Sequence, residues 1–66
     1  MIKNRLLELR LKAGYKKQKD FAEFLEIAQH QYNRYENNVM QPSSEILLKI
    51  SKKLNISMED IIYEEE

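Results

Sequence analysis

Sixty-six residues is the size of one small domain, and with no cysteine and a single histidine it has neither a disulfide framework nor a structural metal to lean on. The formal charge is zero, yet it divides unevenly. Residues 1–20 carry seven basic residues (Lys3, Arg5, Arg10, Lys12, Lys16, Lys17, Lys19) against Glu8 and Asp20, a net of +5, and the remainder carries four basic against nine acidic, a net of −5.

In chain order, Ile2, Leu6, Leu9 and Ala13 recur at helical spacing, and Gly14 is placed to close that helix. A loop at Tyr15-Lys16 follows. Phe21, Ala22 and Leu25 set the buried face of a second helix that starts near Lys17. Glu26-Ile27 form a short turn, and residues 28–36 a third helix with Tyr32 and Tyr35 inward. Asn37 to Pro42 has no periodicity and reads as a loop. Ser43 is a good N-cap for a fourth helix. Glu45 lies in its first turn and Lys52 and Lys53 in its last, as the helix dipole favours. Leu47, Ile50 and Leu54 face the core, and Asn55 can end the helix in a left-handed conformation. Ser57 to Asp60 resembles a capping box that opens a fifth helix over Met58, Ile61 and Ile62. With one glycine and one proline, five short helices and no strand are expected, so the fold class reads all-α, a single domain over residues 1–66 with an acidic tail at 63–66.

The third helix carries the most informative surface. At about 100° per residue, His30, Asn33, Arg34 and Asn37 lie opposite Tyr32 and Tyr35. Gln29 lies at the edge of that face, and Gln31 near the boundary between faces. No acidic residue occurs from Ala28 to Arg34, in a chain otherwise rich in them. Glutamine and asparagine bond adenine in bidentate fashion, and arginine bonds guanine or a phosphate.

The stretch from Lys17 to Pro42 resembles the Xre-type helix-turn-helix family, which includes the phage Cro proteins and repressors. The resemblance extends over about residues 3–62. Its carriers are Asn4-Arg5-Leu6 with Leu9-Arg10, then Gln18 with Phe21-Ala22 and Leu25. They continue with Arg34-Tyr35-Glu36-Asn37, Gln41-Pro42-Ser43, Glu45 to Ile50, and Leu54 to Ser57 with Glu59-Asp60-Ile61. The resemblance implies a compact five-helix, lambda-repressor-like domain, with the helix-turn-helix at about 17–36 and the third helix in the DNA major groove. It further implies that Gln18 holds a phosphate and that Arg10 and Glu36 form an internal ion pair. Five features depart from the pattern. Glu26 stands where the family has glycine, Ala28 where it has a serine or threonine cap, and Tyr32 where it has isoleucine or valine. One extra residue lies between Gly14 and Gln18, and Asn38-Val39-Met40 replace a glycine followed by basic residues.

The function expected is sequence-specific binding of double-stranded DNA as a transcriptional regulator, a repressor acting as a homodimer on a pseudo-palindrome. The N-terminal turn of a recognition helix enters the groove most deeply, so Gln29, His30, Asn33 and Gln31 are the expected base readers. Lys17, Gln18, Arg34, Asn37 and Asn38 are the expected phosphate ligands. Leu48, Ile62 and Tyr63, far in sequence from the basic third, are the expected dimer contacts. One histidine, no cysteine and no glycine-rich phosphate loop leave little for catalysis, so no enzyme, cofactor or metal is expected. No small-molecule effector is evident. The charged segment Met1 to Lys12 lacks the apolar stretch of a signal peptide, and no apolar run reaches the ~20 residues of a membrane span, which reads as a cytoplasmic protein without a membrane partner. The rival reading is a protein-interaction module, antitoxin- or antirepressor-like. Phe24, a Leu7–Leu11 pair off the core stripe, Leu48 and Tyr63 would supply its contacts.

Overall fold

The computed structural model describes all residues, Met1–Glu66. Four α-helices, a single 3₁₀ turn and a two-stranded sheet follow the order β1 (Ile2–Asn4), α1 (Leu6–Lys12), α2 (Gln18–Leu25), α3 (Gln29–Glu36), α4 (Ser44–Leu54), the turn Met58–Asp60, and β2 (Ile62–Glu64). The expected all-α, five-helix architecture is therefore corrected at both ends of the chain. No helix is long and apolar enough to cross a membrane.

The first correction lies before α1. Asn4 turns its side-chain oxygen onto the Leu6 amide at 3.0 Å, so the chain enters α1 only at Leu6. Ile2 is left in a strand and half exposed rather than on the core stripe, and Ala13 is exposed as well. The second correction lies after Asn55. The Ser57 amide and hydroxyl both donate to the Asp60 carboxylate, at 3.4 and 3.1 Å, and one turn forms. It stops there because the Ile61 carbonyl accepts the Arg5 amide at 2.8 Å, which diverts the chain into antiparallel pairing. The register is Ile2↔Glu64, Lys3↔Tyr63 and Asn4↔Ile62. β-Branched and aromatic residues at Ile61, Ile62 and Tyr63 suit a pleated segment better than a continuing helix.

Ten residues form the core: Leu6, Phe21, Ala22, Leu25, Ile27, Tyr32, Tyr35, Leu47, Ile50 and Ile61. Tyr15, Phe21 and Phe24 contact one another as a trio, with ring centroids 5.2–6.2 Å apart, and Tyr32 meets Phe21 edge-on at 5.6 Å. Phe24 is thereby half-buried in an aromatic cluster. Gly14 takes φ +92, a conformation that glycine adopts without steric penalty, to end α1. Ser43 accepts the Ile46 amide on its hydroxyl at 3.3 Å and opens α4, and Asn55, at φ 56, closes it.

Candidate nucleic-acid interface

α2 and α3 meet through a turn at Glu26–Ala28. Glu26 occupies the left-handed region at φ 60, ψ 44, where glycine is unstrained and other residues are not. The Ile27 amide returns to the Ala22 carbonyl at 2.9 Å, and Lys49 donates to the Glu26 carbonyl at 2.8 Å. The Lys53 ammonium meets the Glu26 carboxylate at 2.8 Å. That hydrogen bond, with the charges of Lys53 and Lys49 behind it, holds the Glu26 carboxyl below its ordinary range. Neither α2 nor α3 has a side-chain cap, since Lys17 and Ala28 stand at the cap positions. Their first amides are thus left for other acceptors.

At the other end of α3 lies a buried charged cluster. Arg10 Nε donates to Glu36 Oε1 at 2.7 Å, and Arg10 Nη1 donates to the carbonyls of Tyr15 and Lys16 at 3.1 and 2.6 Å. One guanidinium thus ties α1, the loop before α2 and the end of α3 together. The Glu36 hydrogen bond raises the Arg10 pKa further above its ordinary value, against the opposing effect of burial. Tyr32 donates its hydroxyl to the same carboxylate oxygen at 3.1 Å. Burial first, and the adjacent Glu36 charge second, push the Tyr32 phenol far above the usual tyrosine range, so it stays a donor. No buried side-chain polar atom lacks a partner.

Glu36, itself buried, is linked to the surface through other side chains. Its second oxygen accepts from Gln18 Nε2, and Gln18 Oε1 accepts from Asn33 Nδ2 at 2.9 Å. Asn33 Oδ1 in turn accepts from Asn37 Nδ2 at 3.2 Å. Gln18, Gln29, His30, Asn33 and Arg34 line an open depression of about 560 Å³ between the start of α2 and the outer face of α3. The lining has no carboxylate and no hydrophobic side chain.

Of the expected base readers, the structure brings Gln29, His30 and Asn33 together in this depression; Gln31 is turned aside, its Nε2 donating to the Tyr35 hydroxyl at 2.6 Å. Of the expected phosphate ligands, Gln18 and Arg34 line the depression, and Lys17 and Asn37 are exposed outside it. Asn38, half-buried, is held by neighbouring side chains and backbone. At φ 58 its side-chain oxygen accepts from the Asn4 amide and from Gln41 Nε2, both at 2.9 Å. The Asn4 side chain, itself buried, donates to the Tyr35 carbonyl at 2.6 Å and to Gln41 Oε1 at 2.8 Å. Reading the sequence missed this asparagine–glutamine cluster, although Asn4 and Gln41-Pro42 both carry the family resemblance. Of the expected dimer contacts, Leu48 is exposed. Ile62 packs on the core, and Tyr63 lies under the Arg5 guanidinium at 4.4 Å.

The basic N-terminal third is reduced by this folding. Arg10 is internal, Lys3 pairs with Glu65 at 3.9 Å, and Arg5 covers Tyr63. Lys12 shares a depression with Glu8, Glu59 and Asp60. Lys16, Lys17 and Lys19 remain, all exposed and without an acidic partner, around the start of α2. The chain has no group of three or more His, Asp or Glu side chains that could hold a metal ion.

A family model described as helix-turn-helix matches residues 6–61. The HTH-type transcriptional regulator ImmR of Bacillus subtilis (strain 168) is 39% identical over 62 residues, which is 94% of this chain and 48% of ImmR. The chain therefore spans about half the length of that relative. The crystal structure of a presumed DNA-binding protein from Bacteroides fragilis matches with a TM-score of 0.80 at 24% identity, covering 96% of this chain and all of that one. That likeness concerns the fold.

Proposed function

This chain belongs to the Xre-type helix-turn-helix family, and on that premise we propose that it is a sequence-specific DNA-binding transcriptional regulator. The observation that carries the reading is the depression at the joint of α2 and α3. Its lining of Gln18, Gln29, His30, Asn33 and Arg34 offers amide, imidazole and guanidinium groups and no carboxylate to repel a polyanion. Gln29 and His30, at the start of α3, and Asn33, one turn further on, face base edges in the major groove. Lys17, Gln18, Arg34 and the uncapped amides of α2 face phosphates, with Asn37 at the margin. Lys16 and Lys19 extend the positive rim.

The finer reading is a repressor acting as a homodimer. One domain presents one recognition helix. A two-fold pair of such domains sets two recognition helices in successive major grooves ~34 Å apart, which suits a pseudo-palindrome. Among Leu48, Ile62 and Tyr63, Leu48 is the exposed side chain and the one open to such a pairing. All 66 residues act as a single domain in this reading, with no catalytic role. A second reading, a protein-contact module, is favoured by Leu7 and Leu11, half-exposed on successive turns of α1.

Selection of binding sites from random DNA separates the two. The repressor reading predicts one enriched, two-fold symmetric sequence bound near physiological salt, with light scattering giving two chains per site. Recovery of no preferred sequence would overturn it in favour of the protein-contact reading.

A further inference from the structure

The amide side chains of Gln18, Asn33 and Asn37, which follow one another outward from Glu36, are not free to choose their orientation. A carboxylate ion-paired with arginine accepts hydrogen bonds and does not donate them. Arg10 and Tyr32 both donate to Glu36 Oε1, which leaves Oε2 for Gln18. Only the amide nitrogen of Gln18 can face it. The Gln18 oxygen is then turned outward, and only the nitrogen of Asn33 can meet it, as it does at 2.9 Å. The Asn33 oxygen is left facing the other way, where Asn37 Nδ2 donates to it. Flipping any one of these amides would set oxygen against oxygen or nitrogen against nitrogen.

We infer that Glu36, acting through Gln18, is a specificity-determining positioning residue: its buried charge fixes which edge of the Asn33 amide donates and which accepts on the DNA-reading surface. This rests on the reading that α3 binds DNA. An asparagine distinguishes adenine by giving a donor to N7 and an acceptor to the N6 amino group at the same time. An amide free to rotate presents the two in either order. One held by the relay presents them in one order, with one Nδ2 hydrogen and one Oδ1 lone pair still unused. Tyr32, which stands where the family has an aliphatic residue, adds a donor that anchors the carboxylate at the root of the relay.

The test uses the whole chain with Asn33→Ala, Gln18→Met and Glu36→Gln. Asn33→Ala identifies the base pair that Asn33 reads. Because Glu36→Gln strands Arg10 and can unfold the chain, Gln18→Met, which cuts the relay near the surface, carries the decision. If Gln18 only holds a phosphate, its replacement weakens binding to all sequences alike. Loss of positioning lowers discrimination at the Asn33 base pair by about tenfold beyond that uniform weakening. In DNA-free protein, the Asn33 side-chain NH₂ resonances of Gln18→Met move toward those of a solvent-exposed asparagine. Uniform weakening with the Asn33 preference intact, or unchanged NH₂ resonances, would overturn the relay. Should the unaltered chain select no DNA sequence, the DNA reading falls, while the NH₂ resonances still decide the relay.

Discussion

Two glutamates bracket α3 and carry ion pairs of nearly equal length. Glu36 meets Arg10 at 2.7 Å and Glu26 meets Lys53 at 2.8 Å. Their surroundings differ. The Arg10 and Glu36 side chains are 9% and 3% exposed, whereas those of Lys53 and Glu26 are 36% and 63% exposed. The buried pair has further hydrogen bonds on both partners and joins three segments of chain. The exposed pair lies over a residue held in a left-handed conformation. Burial rather than distance therefore decides what each pair does. At Glu36, losing a partner strands a charge away from water. At Glu26, water and salt take the place of a missing partner.

The largest effects are expected at the buried end. Arg10→Met and Glu36→Gln should each lower stability by about 3–5 kcal/mol, and the double variant should lose less than the sum of the two. Thermal unfolding of the three variants checks this, and additive losses would erase the contrast with Glu26.

Tyr32→Phe is expected next, at about 1.5–3 kcal/mol, because it removes a hydrogen bond to a charged group in the core. It also has a pH signature. The folded pKa of Tyr32 is raised, so its contribution is complete below the ordinary tyrosine value near 10 and is lost as pH rises beyond it. Denaturant midpoints measured from neutral to alkaline pH should fall more steeply for the unaltered chain than for Tyr32→Phe.

Ala28→Ser should stabilise the chain by about 1 kcal/mol, since it gives α3 the cap it lacks in an already extended backbone at φ −58, ψ 136. A raised unfolding temperature with unchanged cooperativity is the expected observation.

The smallest effects belong to Glu26. Glu26→Gln should lower the unfolding temperature slightly at low salt and not at high salt. Because the Glu26 pKa is depressed on folding, the pair contributes above the ordinary glutamate range and is lost as pH falls through the folded value. Glu26→Gly should raise the unfolding temperature, as glycine relieves the left-handed strain by more than the exposed pair supplied.

The helix-turn-helix was legible because its signals are local. Apolar spacing set the buried faces of α2 and α3, Ser43 and Asn55 bounded α4, and the carboxylate-free run from Ala28 to Arg34 marked the surface of α3. The ends of the chain were misread because their structure is not local. Ile2 fits a helical stripe equally well, and only pairing with β2, some 60 residues away, makes it a strand. The Ser57–Asp60 capping box forms, but it opens one 3₁₀ turn and not the expected fifth helix, and nothing in it says that Ile61 will accept the Arg5 amide. In the site, Gln31 and Asn38 looked like surface ligands by type and position. Their engagement with Tyr35, Asn4 and Gln41 depends on tertiary packing that periodicity does not encode.

Base reading by α3 and backbone holding by the start of α2 separate when affinity for single-base variants of the selected operator is measured, at several salt concentrations, for Gln29→Ala and Lys17→Ala. Gln29→Ala should cost about 1–3 kcal/mol on the best operator and relax the preference at one base pair. Lys17→Ala should weaken every sequence alike and flatten the salt slope by about one unit. If Gln29→Ala left every base preference intact, α3 would not be the reading element, and the account of this surface would be contradicted.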